Sequence, residues 1–433
     1  MPTTTSPERS RAEPRSLCGC TAGTAAIVGA VLVLLGSWFV WRVVQLSGDL
    51  SRPYGSDGPS SGWIAVWLGD LDGDRVFDLA LKTAFEQARG GAYGWGVTRV
   101  LSGATGKELK VLQGTGAFAQ LHEEIGPAGD IDGDGRPEIW WTDGYGDLLV
   151  GAPGQERWKL ELRVDLLAEA VPLGDVDGDH CTDLLVSAYP VQPEGLTAVS
   201  AVSGRTGTLL WTVTGPDMGA PLYTSFGGHI ARLVDVDGDR IADAAVVDEQ
   251  ERVLVVSGAD GEVLRTLPQR VDHTGDLESL GDLDGDGSPE FLVYQGWPDL
   301  LDGEWQGKLV QVVSAADGEV LASHPAGEFV WTAFSPGDVD GDGDLDLAWL
   351  ADGAIEVVSA LDGRSLRRVE NGGIQPGRGD WDGDGCADLL VVRNIGFDPD
   401  KEAPPDLWRK GRVEVVSGRD GSVLRVYDED VLP

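Results

Sequence analysis

The chain has 433 residues, 42% of them hydrophobic, and a formal net charge of −39. That apolar content supplies a core and excludes a disordered acidic chain, while the charge argues against nucleic acid or an anionic lipid surface as partner of the main body. The four cysteines, Cys18, Cys20, Cys181 and Cys386, fall into two unlike pairs without CxxC spacing, so neither a disulfide framework nor a zinc site is expected.

In chain order, residues 1–21 read as a cytoplasmic tail and 22–44 as a transmembrane signal-anchor helix. Ala22 to Trp41 is an uncharged run of 20 residues, and at 1.5 Å per residue it covers about 30 Å, the hydrocarbon thickness of a bilayer. Trp38 and Trp41 stand at its outer end, where amphipathic rings favour the interface. Arg9, Arg11 and Arg15 precede it and Arg42 follows, a bias that favours a cytoplasmic N-terminus and a periplasmic or extracellular remainder. The alternative is a cleaved secretion signal; the length and bulky end of the segment favour an uncleaved anchor. Residues 45–62 are rich in Ser, Gly and Pro and read as a flexible linker. Within it Gly58-Pro59-Ser60-Ser61-Gly62 matches G-x-S-x-G, but no strand precedes it and no helix follows, so it is not read as a nucleophile elbow.

From residue 63 to 433 the chain is repetitive. The pattern D-x-D-G-D-x-x-x-[DE] occurs seven times. Its acidic members are Asp70, Asp72, Asp74 and Asp78 in loop one, and Asp130, Asp132, Asp134 and Glu138 in loop two. Loop three has Asp175, Asp177, Asp179 and Asp183; loop four has Asp235, Asp237, Asp239 and Asp243. Loop five has Asp282, Asp284, Asp286 and Glu290; loop six has Asp338, Asp340, Asp342 and Asp346; loop seven has Asp380, Asp382, Asp384 and Asp388. A short apolar run follows each loop.

A second pattern alternates with the first: β-branched runs broken by a Gly-containing turn, as in VLVVSGADGEVL and VEVVSGRDGSVL, the signature of a hairpin. The copy at Leu148–Leu162 is degenerate and lacks the Ser-Gly step. Each unit thus carries four short strands and no helical periodicity. Such a unit cannot bury both faces alone, and radial stacking solves the problem. Trp63 to Tyr427 spans 365 residues, about 52 per unit. The expected fold is therefore all-β, a seven-bladed β-propeller with four-stranded blades. The repeat opens on a first strand and closes on a fourth, so no strand is expected to cross the seam and closure should rest on packing.

Four carboxylates within nine residues repel one another unless a cation neutralises them. Oxygen donors in that number suit Ca2+, which takes six to eight, so up to seven Ca2+ ions are expected, with position 7 adding its backbone carbonyl. All four acidic positions are filled in all seven copies, which accounts for 28 of the 72 acidic residues. At position 6, loops one, three and four carry Arg75, His180 and Arg240 where the others have Gly. If that position requires a positive φ, those three are strained.

These loops resemble those of the FG-GAP repeat proteins, whose best-known members are the integrin α-subunits. Ser225-Phe226-Gly227-Gly228 followed by Asp235-Val236-Asp237-Gly238-Asp239 is similar to the family's FG step and calcium loop, and Asp183 to Pro190 to its DLLVGAP end. The resemblance implies a seven-bladed propeller with calcium between the first two strands of a blade, and adhesion or protein binding only loosely. The apolar span precedes the repeats here, unlike in an integrin, so integrin function is not carried over. Ala201 to Trp211 also resembles a repeat of the quinone-cofactor dehydrogenases, which place Trp at the end of most repeats; here that position is usually not Trp, and the likeness is one of hairpin grammar.

Successive loops start 60, 45, 60, 47, 56 and 42 residues apart. Much of the extra length in units one, three, five and seven lies between the second and third strands and carries Tyr93, Trp95, Tyr189, Trp297, Trp305, Phe397 and Trp408. Up-down topology places these insertions opposite the acidic loops, as a candidate ligand face; folding inward as private mini-cores is the competing reading. The histidines, His122, His180, His229, His273 and His324, form no metal-ligand spacing, and there is no HExxH and no P-loop. The expected function is a membrane-anchored binding or adhesion module for protein or glycan. A calcium-assisted polysaccharide lyase and a structural envelope protein are the alternatives.

Overall fold

The computed structural model describes residues 63–83, 97–113, 125–142, 147–161, 169–188, 198–215, 226–271, 276–294, 309–327, 330–351, 354–370, 372–375, 378–394 and 411–428. The chain divides into two units, Met1–Ser56 and Asp57–Pro433, and every described residue belongs to the second. The expected anchor and most of the linker thus lie outside the described residues; among those described, no helix is long and apolar enough to cross a membrane.

Apolar runs separated by acidic loops and Gly turns become 28 strands among the described residues. Blade one holds β1 (Trp63–Gly69), β2 (Asp78–Thr83), β3 (Val97–Leu101) and β4 (Glu108–Gln113); blade two holds β5 (Ile125–Gly129), β6 (Glu138–Thr142), β7 (Leu148–Ala152) and β8 (Gln155–Leu160). Blade three holds β9 (Glu169–Gly174), β10 (Asp183–Ala188), β11 (Ala198–Val202) and β12 (Leu209–Thr214); blade four holds β13 (Ile230–Arg232), β14 (Ala244–Val247), β15 (Arg252–Val256) and β16 (Val263–Arg270). Blade five holds β17 (Asp276–Gly281), β18 (Glu290–Tyr294), β19 (Leu309–Ser314) and β20 (Val320–Pro325). Blade six holds β21 (Val330–Gly337), β22 (Asp346–Ala351), β23 (Ala354–Ser359) and β24 (Ser365–Glu370); blade seven holds β25 (Gly373–Gln375), β26 (Leu389–Asn394), β27 (Gly411–Val416) and β28 (Val423–Asp428).

Each blade is a four-stranded sheet whose strands pair in sequence order and antiparallel, as in β17-β18-β19-β20. The degenerate copy in blade two still forms its hairpin, β7 with β8. The first strands of successive blades are neighbours from β1 beside β5 through to β17 beside β21, and β25 lies beside β1. This is a seven-bladed propeller in which, among the described residues, no strand is exchanged across the seam, as the phase of the repeats leads one to expect.

Packing between blades explains why the second strands are apolar on both faces. Successive side chains of a strand point to opposite sides, so in β18 Phe291 and Val293 pack against blade four while Leu292 and Tyr294 pack against blade six. Among the described residues the buried apolar side chains form seven clusters, one at each junction of adjacent blades. The seam is one of them: Ala65, Trp67, Leu79 and Leu81 of blade one meet Leu390, Val392, Val413, Val415 and Tyr427 of blade seven.

A recurrent polar contact reinforces these junctions. A fourth-strand side chain donates to a carbonyl in the hairpin turn of the next blade. Trp158 Nε1 reaches Gly204 O at 2.6 Å and Trp211 Nε1 reaches Gly258 O at 2.7 Å. Arg367 Nη2 reaches Gly418 O at 2.7 Å, and His324 Nε2 lies 2.7 Å from Ala360 O. At the seam, Arg425 Nη1 donates to Gly103 O at 2.9 Å. The Trp211 that ends the quinoprotein-like repeat is thus one of several residue types filling a single structural role. The FG step is also a junction: Gly227 donates to Val247 O at 2.7 Å within blade four, and its own carbonyl accepts from Ser187 Oγ of blade three at 2.5 Å.

Candidate metal centres

Every acidic loop joins the first strand of a blade to the second, and all seven fold by one hydrogen-bond scheme. The aspartate at position 1 accepts the N–H of Gly at position 4 through Oδ1 at 2.6–2.8 Å. Its Oδ2 accepts the N–H of residue 6 at 2.7–3.0 Å. The aspartate at position 5 accepts the N–H of residue 7 at 2.7–3.1 Å. These bonds wind the backbone around the carboxylates and leave other carboxylate oxygens free.

Two positions require a left-handed backbone. Position 4 has φ between 74° and 87° in all seven loops, and Gly always fills it. Position 6 has φ of 90° to 101° where it is Gly, other than 87° at Gly385, and 73°, 69° and 77° at Arg75, His180 and Arg240. The strain anticipated at those three residues is present.

The ninth position is where the second strand begins, and strand pairing drags its carboxylate into the interior. Asp78, Asp183, Asp243 and Glu290 are 0% exposed, and Glu138, Asp346 and Asp388 are buried. One oxygen of each accepts the N–H of residue 2 of its own loop at 2.6–2.9 Å. In blades one, three, four and seven the other oxygen accepts the N–H of the Gly in the hairpin turn: Gly103 to Asp78, Gly204 to Asp183, Gly258 to Asp243 and Gly418 to Asp388, at 2.9–3.2 Å. In these four blades the ninth carboxylate therefore ties both loops at this end of the blade together.

Burial pushes all seven above the ordinary carboxylate range. Asp78 and Asp388 rise to about 6, held back by backbone N–H groups that include the hairpin Gly. Glu138, Glu290 and Asp346 rise to about 7, with neighbouring loop aspartates adding to the effect of burial. Asp183 and Asp243 are also raised by burial.

Ligand atoms lie within 4.8 Å of one another in Asp70–Asp72–Asp78, Asp130–Asp132–Glu138, Asp175–Asp177–Asp183, Asp235–Asp237–Asp239 and Asp282–Asp284–Glu290. These clusters can hold a metal ion, and their all-oxygen donor sets fit a hard cation. Loop five supplies the sharpest test of fit. In blade five Ala315 stands where the hairpins of blades one, three, four and seven have Gly, and its N–H goes to Pro289 O at 2.9 Å. Among the described residues, Glu290 Oε1 is buried without a hydrogen-bond partner. A buried carboxylate oxygen without a partner is costly unless a cation meets it.

Four loops carry an arginine that sequence reasoning did not single out. Arg157 pairs with Asp132 at 2.9 Å, Arg205 with Asp179 at 2.9 Å, Arg364 with Asp340 at 2.7 Å and Arg419 with Asp384 at 3.2 Å. Each sits in or beside the hairpin turn of the same blade, the turn that lies next to the acidic loop at this end of the sheet. The only signal for them in the sequence is an arginine near that turn, as in SGRTG and SGRDG.

The expected ligand-face residues Tyr93, Trp95, Tyr189, Trp297, Trp305 and Trp408 all lie outside the described residues. The segments holding them do connect second to third strands in blades one, three, five and seven, at the strand ends remote from the acidic loops. In blade four the corresponding link is tight, with Arg252 N–H on Asp248 Oδ1 at 2.8 Å and an Arg252–Asp248 ion pair at 2.6 Å.

No protein-family model and no curated protein matches the chain. Among solved structures it is similar to the V. cholerae biofilm matrix protein Bap1, at 14% identity over 87% of this chain and 81% of that one, with a TM-score of 0.43. It is also similar to BBS1N in complex with ARL6DN, at 11% identity over 71% of this chain and 82% of that one, with a TM-score of 0.46. At these scores the fold assignment rests on the strand topology above and not on the neighbours.

Proposed function

We propose that this chain is an FG-GAP-like propeller stabilised by Ca2+, which serves outside the cytoplasm as a binding or adhesion module for a protein or glycan. Residues 22–44 would tether it to the membrane. The observation that carries the reading is the uniform construction of seven carboxylate loops at one end of a closed ring. Clustered carboxylates, one of them buried in every loop, are unfavourable alone and favourable around a hard cation. Calcium outside the cell is abundant enough to fill even weak sites of this kind. By the up-down strand order, the other end of the ring is where the insertions of blades one, three, five and seven are expected. Loops on a rigid scaffold are where recognition usually resides, and aromatic side chains there can stack on sugars or anchor a partner.

The test is an array screen of the full-length chain against glycans and matrix proteins, with calcium and with chelator. A calcium-dependent hit lost in Trp95→Ala or Trp305→Ala is the expected result. A folded, calcium-loaded chain that binds nothing on the array would remove the broad recognition role.

A further inference from the structure

The seven loops share a fold but not an electrostatic setting. In loops two, three, six and seven a guanidinium sits on a carboxylate at position 3 or 5: Arg157 on Asp132, Arg205 on Asp179, Arg364 on Asp340 and Arg419 on Asp384. In every case the oxygen engaged is Oδ2. Oδ1 of Asp132, Asp179 and Asp384 is already committed to a loop N–H, from Asp134, Cys181 and Cys386 respectively. The arginine therefore occupies the oxygen that the loop backbone leaves free for a ligand. Arg364 also stands 3.7 Å from Asp342, and Arg205 and Arg419 each donate to a position-5 carbonyl, at 3.2 and 2.7 Å.

Loops one, four and five have no such partner among the described residues. Arg136 lies over Gly73 of loop one, yet among the described residues it pairs with no carboxylate there. Loop five shows the opposite condition, a buried Glu290 oxygen with no hydrogen-bond partner.

We propose that Arg157, Arg205, Arg364 and Arg419 are resident counter-ions that lower the cation affinity of their loops, so that the propeller has two classes of calcium site. Loops one, four and five form the tighter class; loops two, three, six and seven form the weaker, arginine-guarded class. The proposal rests on the calcium reading above. A fixed positive charge within about 3 Å of a ligand oxygen repels an incoming dication, and the ion pair must open before that oxygen can coordinate. The four arginine side chains are 38%, 44%, 55% and 58% exposed, so solvent screens the effect and about fivefold in affinity per site is expected. The same arginines spare their loops the full repulsion when calcium is low, whereas loops one, four and five have no such arginine among the described residues.

The experiment is a calcium titration of the full-length, chelator-treated chain by calorimetry, with dialysis against radioactive calcium to count sites. Wild type should show three tighter and four weaker sites, one per loop of each class. In Arg157→Gln/Arg205→Gln/Arg364→Gln/Arg419→Gln the weaker sites should tighten by about fivefold. With Lys at the same four positions they should stay within about twofold of wild type. Each single Gln variant should shift one site only, a reading that does not require the fourfold variant to fold without calcium. Seven equivalent sites in wild type, or weak sites unmoved by Gln, would overturn the proposal while leaving the calcium reading standing. A wild-type chain that takes up no calcium would remove both.

Discussion

Replacing Arg75, His180 and Arg240 together with glycine should stabilise the propeller by about 2 kcal/mol. The three hold φ at 73°, 69° and 77°, a left-handed region that the other four loops fill with Gly. An L-residue there costs about 1–2 kcal/mol, while glycine adds about 0.5–1 kcal/mol of unfolded-chain entropy. The net gain is about 0.5–1 kcal/mol per site, the difference between those two ranges. Little else changes, because all three side chains are exposed. The N–H of residue 6 donates to the first aspartate at 2.7–2.9 Å in these loops, as it does at 2.8–3.0 Å in the Gly loops. Glycine at 180 also removes the 3.5 Å pair of His180 with Asp175, but that histidine side chain is 94% exposed and the pair is weak. The assay is urea unfolding by tryptophan fluorescence in saturating calcium, with a higher midpoint at unchanged m expected. The reverse control is Gly287→Ala. A Cβ there meets nothing within 4 Å, so only the φ of 90° is tested and a loss of about 1 kcal/mol is expected. A triple variant no more stable than wild type, with Gly287→Ala no less stable, would refute the argument that position 6 is conformationally strained.

Asp78→Asn should cost about 2–3 kcal/mol and abolish cation binding at loop one, because both carboxylate oxygens accept backbone N–H groups, from Gly103 and Leu71, and an amide turns one acceptor into a donor; unfolding and a calcium count on the variant check both. In calcium-free buffer the chain should be more stable at pH 5 than at pH 8. The folded carboxyls of Asp78 and Asp388 at about 6, and of Glu138, Glu290 and Asp346 at about 7, bind protons that the unfolded chain has already released by about pH 5. Their contribution is therefore complete below about pH 4, is lost as pH rises through about 6 to 7, and is restored by calcium, which favours the ionised form. Equal urea midpoints at the two pH values without calcium would count against it. Phe291→Ala, at a 0% exposed residue between blades four and five, should cost about 3–5 kcal/mol. Leu209→Ala, at a side chain 56% exposed, should stay within about 0.5 kcal/mol of wild type in the same unfolding assay.

The number of blades, the strand order and the placement of the acidic loops were all legible along the chain, because each depends on neighbours in sequence. A loop such as Asp282 to Glu290 closes on its own backbone through bonds spanning two to seven residues, so its residue types announce its shape. The left-handed turn at position 6 was readable for the same reason: Gly in four copies and three exceptions mark a backbone demand. What the tertiary structure decided involves residues that register brings together from far apart. Asp78 meets Gly103 across 25 residues, Trp158 meets Gly204 across 46 and Arg425 meets Gly103 across 322. No local pattern distinguishes Arg157 or Arg364, each guarding a carboxylate 24 or 25 residues upstream, from an arginine facing solvent. Likewise Glu290 is one acidic ninth position among seven, and only the packed hairpin shows that Ala315 N–H goes to Pro289 while Glu290 Oε1 has no partner among the described residues. Local backbone geometry follows from residue type, whereas the partner of a side chain follows from where a different strand has been packed.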